Sequence, residues 1–230
     1  MLAQGQQTRL AQLGFPKQLL PLPACGGAPV IGRTARIVRA IQADAEVQVV
    51  SRRDVGNAVE AWDASVACLT LEDPGTSSLL GLWRCLTGDL RWPGRTVVLL
   101  GDVCYSWSCL SSLMRGSSHL FVGTSDLAQD RGELWGVAWQ DTDSALMLEW
   151  VRMALSRHPP FAEYQCGQMR QWLFAGRDLS RRDQREPTYE PVDDYTTDFD
   201  TPLDLMRLED VSRSARLDDA LHGMTWDGGV

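Results

Sequence analysis

Lys17 is the only lysine among the 22 Lys and Arg residues of the chain. Arginine is a planar fork, whereas lysine carries a compact charge on a mobile stem. The compact charge suits a crowded site where one phosphate oxygen must be met end-on. A lysine that persists in a chain otherwise built with arginine is therefore a candidate for phosphate binding. The alternative is that Lys17 is a chance survivor on the surface.

Asp102 lies directly after an apolar run, residues 96–100, and one glycine. Such a run predicts a central parallel strand that is buried on both faces. Open α/β sheets bind ligands at the carboxyl ends of their strands, so Asp102 is placed at the mouth of a site. The alternative is a loop aspartate that caps a turn.

Asp200 stands just before a predicted helix. Thr201 is a good N-cap, Pro202 suits the first helical position, and Asp204 in the first turn favours the helix dipole. Asp200 is not needed for that cap, so its carboxylate can face the strand ends. Asp198 is either a further site residue or a solvated side chain.

The N-terminal segment resembles the signature of the nucleotidyltransferases that make activated sugars. That signature reads Leu-Ala-x-Gly-x-Gly-Thr-Arg-Leu, then Pro-Lys-x-Leu-Leu-Pro after a short gap, and Gln7 stands here in place of its second glycine. Residues 100–102 and 198–205 are similar to the family's Leu-Gly-Asp and Asp-x-Asp-Thr-Pro-x-Asp-Leu motifs. The matching N-terminal residues are Leu2, Ala3, Gly5, Thr8, Arg9, Leu10, Pro16, Lys17, Leu19, Leu20 and Pro21.

The resemblance implies a transfer of a nucleoside monophosphate from an NTP to a phosphorylated acceptor, with release of pyrophosphate. It implies catalytic roles for Arg9 and Lys17, and Mg²⁺ ligands at Asp102 and Asp200. Mg²⁺ takes oxygen ligands, one or two of them carboxylates, beside phosphates and water. No general base is needed, because the nucleophile is already a phosphate anion. Nucleotide-binding residues implied by the resemblance are Ala3, Gln4, Gly5, Gln7, Thr8, Gly75, Thr76, Ser77 and Ser78, of which Thr76 to Ser78 are equally ordinary helix caps.

Composition predicts one globular domain with an acidic surface. A net charge of −8 argues against nonspecific nucleic-acid binding, yet Arg9, Lys17 and Arg33 could form a local basic pocket. The six cysteines include no Cys-x-x-Cys pair, so we expect no zinc site. No apolar run approaches about 18 residues and the N-terminus lacks a signal pattern, so we expect a soluble cytoplasmic protein without a membrane partner.

Apolar runs alternate with helical patterns, which predicts a doubly wound, mostly parallel, Rossmann-like α/β sheet in three layers. The domain is expected over residues 1–222, with an NTP-binding half (1–115), an acceptor-binding half (116–210) and a frayed tail (223–230). The first strand is either clipped to two or three residues or starts upstream. Predicted strands cover residues 46–50, 66–71, 96–100, 119–122 and 133–139, predicted helices cover 33–43, 54–62, 76 onward, 143–156 and 161–175, and 177–197 is a predicted loop.

Other side chains leave alternatives open. Trp107, Trp135 and Trp139 could stack on a sugar, but tryptophans at alternating positions more often lie in the core, with Trp135, Val137 and Trp139 on one side of their strand. The three histidines, His119, His158 and His222, are interpreted as structural or surface residues.

Two other functions compete with nucleotidyl transfer. A glycosyltransferase of similar fold would use a compact Asp-x-Asp motif, whose second aspartate is missing from Asp102-Val103-Cys104. A degenerate nucleotide-binding member of the family, acting as a sensor or partner subunit, is favoured by Gln7 and by the clipped start. Retention of Arg9, Lys17, Asp102 and Asp200 opposes it.

Overall fold

Short strands alternate with helices along the chain, as the apolar runs predict. The computed structural model describes residues 1–3, 14–70, 83, 86–87, 94–116, 119–124, 134–157, 176–178 and 187–226. The strands are β1 (Leu2–Ala3), β2 (Pro21–Leu22), β3 (Ala28–Pro29), β4 (Gln48–Ser51), β5 (Ala67–Thr70), β6 (Arg95–Leu99), β7 (Val103–Cys104), β8 (Leu120–Gly123), β9 (Leu134–Gln140), β10 (Thr188–Pro191) and β11 (Thr197–Asp198). The helices are α1 (Val30–Ile41), α2 (Arg53–Trp62), α3 (Trp107–Arg115), α4 (Ser144–Arg157), α5 (Pro202–Met206) and α6 (Leu208–Leu221).

The N-terminal half forms a parallel three-stranded sheet in the order β1-β4-β5. The first strand has two residues, with Leu2 opposite Val50. Helices α1 and α2 pack their apolar faces on this sheet, and Ile31, Val49 and Val59 are buried there in one cluster. Crossover helices between parallel strands are the arrangement that the alternating pattern predicts.

A second sheet has four strands in the order β10-β8-β9-β6 and is mixed. The expectation that residues 96–100 form a central parallel strand is wrong, because β6 pairs antiparallel with β9. Burial on both faces is correct: Val98 and Leu99 belong to different core clusters. An apolar run indicates that both faces of a strand are buried, but it does not indicate whether the neighbouring strand is parallel or antiparallel.

Counting every described ladder, three strand pairs are parallel and four are antiparallel. The mixed α/β class is therefore confirmed, and the mostly parallel sheet is wrong for the described strands. The doubly wound three-layer arrangement stays a prediction.

A β-bulge in β9 changes which way Trp135 points. Val122 of β8 faces Gly136, whereas the next residue, Gly123, faces Leu134, so Trp135 is an extra residue in the ladder. Trp135 consequently packs in one core cluster, while Val137 and Trp139 pack in the other. The expectation that all three share one side is wrong, because strict alternation holds only without a bulge.

Helices cover both faces of the four-stranded sheet. Met147 and Trp150 of α4 pack with Phe121, Val137 and Trp139 on one face. On the other face, Leu110 and Leu113 of α3 pack with residues of α1, including Ile37. The tryptophans Trp107, Trp135 and Trp139 are all at least nine-tenths buried, which contradicts a role in stacking on a sugar.

The C-terminal part of the chain is more ordered than the sequence predicts. Residues 188–191 of the predicted loop form β10, parallel to β8. Met224 is buried and Trp226 donates from Nε1 to Asp219 at 2.8 Å, so the expected fraying from Gly223 is wrong as far as Trp226. The predicted helices from residue 76 and over 161–175 lie outside the described residues. No helix in the described part of the chain combines the length and apolarity that crossing a bilayer requires.

Candidate active site

A two-stranded antiparallel ladder sets the distance between the two aspartates. Strand β7 pairs with β11, with Val103 opposite Asp198 and Cys104 opposite Thr197. Asp102 is the residue before β7, and Asp200 lies two residues after β11. Because the start of one antiparallel strand adjoins the end of the other, the two carboxylates leave the ladder at the same end.

Lys17 reaches both carboxylates from a different part of the fold. It begins a short 3₁₀ turn, Lys17–Leu19, that Pro16 precedes in extended conformation. Its Nζ lies 2.6 Å from Oδ2 of Asp102 and also forms an ion pair with Oδ1 of Asp200. The structure therefore brings together three charged groups that the sequence separates by up to 183 positions.

The cation between the carboxylates is well shielded from solvent. The side chains of Lys17, Asp102 and Asp200 are 14%, 19% and 24% exposed. Burial alone lowers the pKa of Lys17, but the charges and hydrogen bonds of Asp102 and Asp200 outweigh it and raise the pKa above its usual value. Lys17 is therefore protonated at any physiological pH, and one ammonium between two carboxylates leaves one net negative charge.

Asp204 fixes the backbone beside Asp200. It forms a capping box with Thr201: the Thr201 side chain accepts from the Asp204 N–H, and Oδ2 of Asp204 accepts from the Thr201 N–H at 2.7 Å. The same oxygen accepts from the Asp200 N–H at 3.2 Å. The cap predicted from the sequence is confirmed, and it also holds Asp200 at the entrance of α5.

The two carboxylates are suited to hold a divalent cation together. Both contact a single nitrogen atom, so the ammonium of Lys17 marks a position that a shared positive charge can take. Two carboxylate oxygens, completed by phosphates and water, are a common protein contribution to Mg²⁺ binding. Across the described residues there is no group of three or more His, Cys, Asp or Glu side chains arranged for a metal.

Arg33 does not belong to this site. It is fully buried and binds Asp219 through Nε at 2.9 Å and Nη2 at 2.7 Å. Asp219 also accepts from the indole nitrogens of Trp107 and Trp226, at 2.9 and 2.8 Å. The expectation of a basic pocket that includes Arg33 is wrong, because its guanidinium is used to join α1 to α6.

The histidines of the described chain have structural contacts. His119 is buried with its Nε2 at 3.1 Å from Oδ2 of Asp143, and His222 stacks on Trp107 with ring centroids 4.3 Å apart. Both agree with the structural interpretation. His158 lies outside the described residues.

Most of the predicted nucleotide-binding residues are not described. Ala3 ends β1 opposite Ser51, so the segment that follows it starts at the carboxyl end of a parallel strand. Gln4, Gly5, Gln7, Thr8 and Arg9, as well as Gly75, Thr76, Ser77 and Ser78, lie outside the described residues, and their roles stay predictions.

Tyr105 contacts the backbone next to Asp102, and the sequence did not indicate this contact. Its side chain is fully buried, and its hydroxyl binds the backbone just before the Asp102 segment. A tyrosine three positions after an aspartate has no recognisable pattern, because its hydroxyl binds backbone groups of Leu100 and of Trp135 in another strand.

No protein-family model and no curated protein sequence matches the chain. Among solved structures, 105 chains match. One is described as a glucose-1-phosphate thymidylyltransferase from Bacillus anthracis in complex with sucrose: it is 17% identical, with a TM-score of 0.57, over 92% of this chain and 93% of that one. Another is a 4-diphosphocytidyl-2C-methyl-D-erythritol synthase from Anaerococcus prevotii: it is 12% identical, with a TM-score of 0.54, over 82% of this chain and 87% of that one.

Both neighbours are nucleotidyltransferases, so the chain has the fold of that class of protein. At these identities the likeness defines the fold alone. What the chain does must be argued from its own site.

Proposed function

We propose that this chain is a Mg²⁺-dependent nucleotidyltransferase, which transfers a nucleoside monophosphate from an NTP to a phosphorylated acceptor such as a sugar-1-phosphate. The observation that carries the proposal is the contact of Lys17 with both Asp102 and Asp200. A cation and two acids that are far apart in sequence meet at one point, on a fold whose solved examples include nucleotidyltransferases.

The reaction forms a bond between an oxygen of the acceptor phosphate and the α-phosphorus of the NTP. The bond from the α-phosphorus to the bridging oxygen of pyrophosphate breaks, and pyrophosphate leaves with that oxygen. The attacking oxygen is already anionic, so the site needs no general base. Positioning and neutralisation of negative charge are the two tasks that remain for the protein.

In this proposal Lys17 neutralises negative charge on the phosphates. Its ammonium has three donors and a permanent charge, and it can turn from the carboxylates to a phosphate oxygen without a change in protonation. Asp102 and Asp200 would hold Mg²⁺, which when bound neutralises charge on the α-phosphate. The two carboxylates also keep Lys17 protonated and pointed into the site while no nucleotide is present.

Pyrophosphate release tests the proposal. The purified chain is incubated with Mg²⁺, each of ATP, CTP, GTP, UTP and dTTP, and a panel of sugar-1-phosphates and phosphocholine. We expect release that needs one NTP and one acceptor, and that falls at least about a hundredfold in Asp102→Asn and Asp200→Asn. Asp54→Asn is the matched control, because Asp54 pairs with Arg52 at the exposed start of α2 and should leave the rate unchanged.

Three outcomes would overturn the proposal. Binding of an NTP without turnover across the panel would favour a degenerate nucleotide-binding protein. A rate that both asparagine variants leave intact would show that Asp102 and Asp200 do not carry the reaction. Transfer from a ready-made nucleotide sugar, without pyrophosphate, would favour a glycosyltransferase.

A further inference from the structure

Residues 100–105 form the short segment that carries Asp102, and the side chain of Tyr105 at its end binds the backbone of Leu100 at its start. The Tyr105 hydroxyl accepts a hydrogen bond from the Leu100 N–H at 2.9 Å and donates to the Trp135 carbonyl at 2.5 Å. Leu100 is the last residue before Gly101 and Asp102. The phenol therefore ties the start of the segment to its end, five residues later, and to the neighbouring strand β9.

The end of the segment is held as well. The Tyr105 carbonyl accepts from Nη1 of Arg33 at 2.5 Å, and Arg33 is itself held by the buried Asp219. Between these anchors, Val103 and Cys104 are paired with β11. Only Gly101 and Asp102 lie between the phenol's contact with Leu100 and the ladder.

We propose that the Tyr105 hydroxyl is a positioning residue that fixes the Asp102 carboxylate relative to Lys17 and Asp200. A group with a buried ring and two hydrogen bonds to backbone cannot rotate freely, so it restricts the backbone that it binds. Partners that orient a metal-binding or charged ligand typically change affinity or activity about tenfold to a hundredfold when they are removed. The inference rests on the proposed function for its effect on turnover, but not for its effect on geometry.

Tyr105→Phe is a suitable test because it removes one oxygen and keeps the ring. The Leu100 N–H also donates directly to the Trp135 carbonyl, at 3.1 Å. These two backbone groups therefore keep each other as partners when the hydroxyl is removed. We therefore expect the variant to fold. Tyr189→Phe is the matched control, since the Tyr189 hydroxyl also donates to a backbone carbonyl, that of Thr124, in another part of the chain.

The single lysine supplies a readout that does not depend on catalysis. Acylation of the ε-amino group by an N-hydroxysuccinimide ester, followed by peptide mass spectrometry, reports on Lys17 alone. We expect Tyr105→Phe to raise the labelling rate about tenfold, because Asp102 no longer holds the ammonium in place. The same variant should weaken Mg²⁺ binding and lower kcat about tenfold to a hundredfold, with a smaller change in the KM for NTP. Tyr189→Phe should match the unaltered protein in all three measurements.

The outcomes separate the two proposals. Equal labelling, Mg²⁺ binding and kcat in Tyr105→Phe and the unaltered protein would overturn the positioning role. Faster labelling of Tyr105→Phe in a protein that releases no pyrophosphate with any NTP would support the positioning role and overturn the proposed function. If Tyr105→Phe does not fold, Arg33→Gln releases the other anchor of the segment and leaves Lys17 as the single lysine. In that case faster labelling of Lys17 supports the proposal, and an unchanged rate overturns it.

Discussion

Replacing Lys17 with methionine removes the charge between Asp102 and Asp200 and keeps a similar side-chain length. Two carboxylates that are 19% and 24% exposed then face each other without a cation. The variant loses two charged hydrogen bonds, each worth about 1.5–3 kcal/mol, and residual solvent contact favours the lower value. Without divalent cations, we expect Lys17→Met to lower the free energy of unfolding by about 3 kcal/mol.

Added Mg²⁺ should reverse this loss. In the unaltered protein the ion competes with Lys17 for the same carboxylates, whereas in the variant it meets them unopposed. Binding to the folded state alone stabilises a protein by about 2.7 kcal/mol at a ligand concentration a hundred times Kd. Urea unfolding followed by tryptophan fluorescence, with EDTA and with a Mg²⁺ series, measures both effects. Turnover of the variant should stay more than tenfold below the unaltered protein even in saturating Mg²⁺, because the phosphate-binding charge is gone.

Arg39→Met is the control for the loss of an ion pair elsewhere. Arg39 binds Asp63 at 2.8 Å, with side chains 25% and 26% exposed, so its environment is close to that of Lys17. We expect a smaller loss of stability with no response to Mg²⁺. The reasoning is refuted if Lys17→Met and Arg39→Met lose equal stability, or if Mg²⁺ stabilises Lys17→Met no more than it stabilises the unaltered protein.

Three further predictions concern the framework around the site. Asp219→Asn leaves the buried Arg33 without its counter-charge and should lower the free energy of unfolding by about 3–5 kcal/mol in urea titrations. Burial raises the pKa of the Cys25 thiol to about 11, so stability from this group is complete below pH 9.0 and is lost towards pH 11, by at most about 1.4 kcal/mol per pH unit. The prediction is contradicted if the unfolding midpoint of Cys25→Ala falls as steeply over this pH range as that of the unaltered protein. Gly136→Ala places a methyl group 2.9 Å from Cδ1 of Leu113 and should cost about 1–3 kcal/mol, and an unchanged melting temperature would show that the core yields.

The sequence predicted best where local rules decide the structure. Thr201, Pro202 and Asp204 form the expected helix start, because capping involves residues only three positions apart. The predicted helix over residues 33–43 lies close to the observed α1 (Val30–Ile41) for a similar reason, since its apolar face repeats every three to four residues. The alternation of strands and helices followed from the same short-range patterns.

The sequence misjudged strand direction and side-chain burial where distant partners decide. The direction of β6 depends on β9, which lies about forty positions later, and a bulge at Trp135 reversed the face of that side chain. The guanidinium of Arg33 is a group that can bind phosphate. In the structure it forms an ion pair with Asp219, 186 positions away, instead. No local pattern distinguishes a guanidinium that binds a ligand from one that joins two helices.

The candidate site divides in the same way. The single lysine, the placement of Asp102 and Asp200 beside predicted elements, and the resemblance to nucleotidyltransferase motifs together indicate these three residues as site candidates. Their convergence was decided by the pairing of β7 with β11 and by the turn that presents Lys17. Tyr105 became visible only in the tertiary structure, because hydrogen bonds to the backbone of another strand leave no trace in the local sequence. Residue type determines which charges the chain carries, whereas the distance between those charges is determined by how the chain packs.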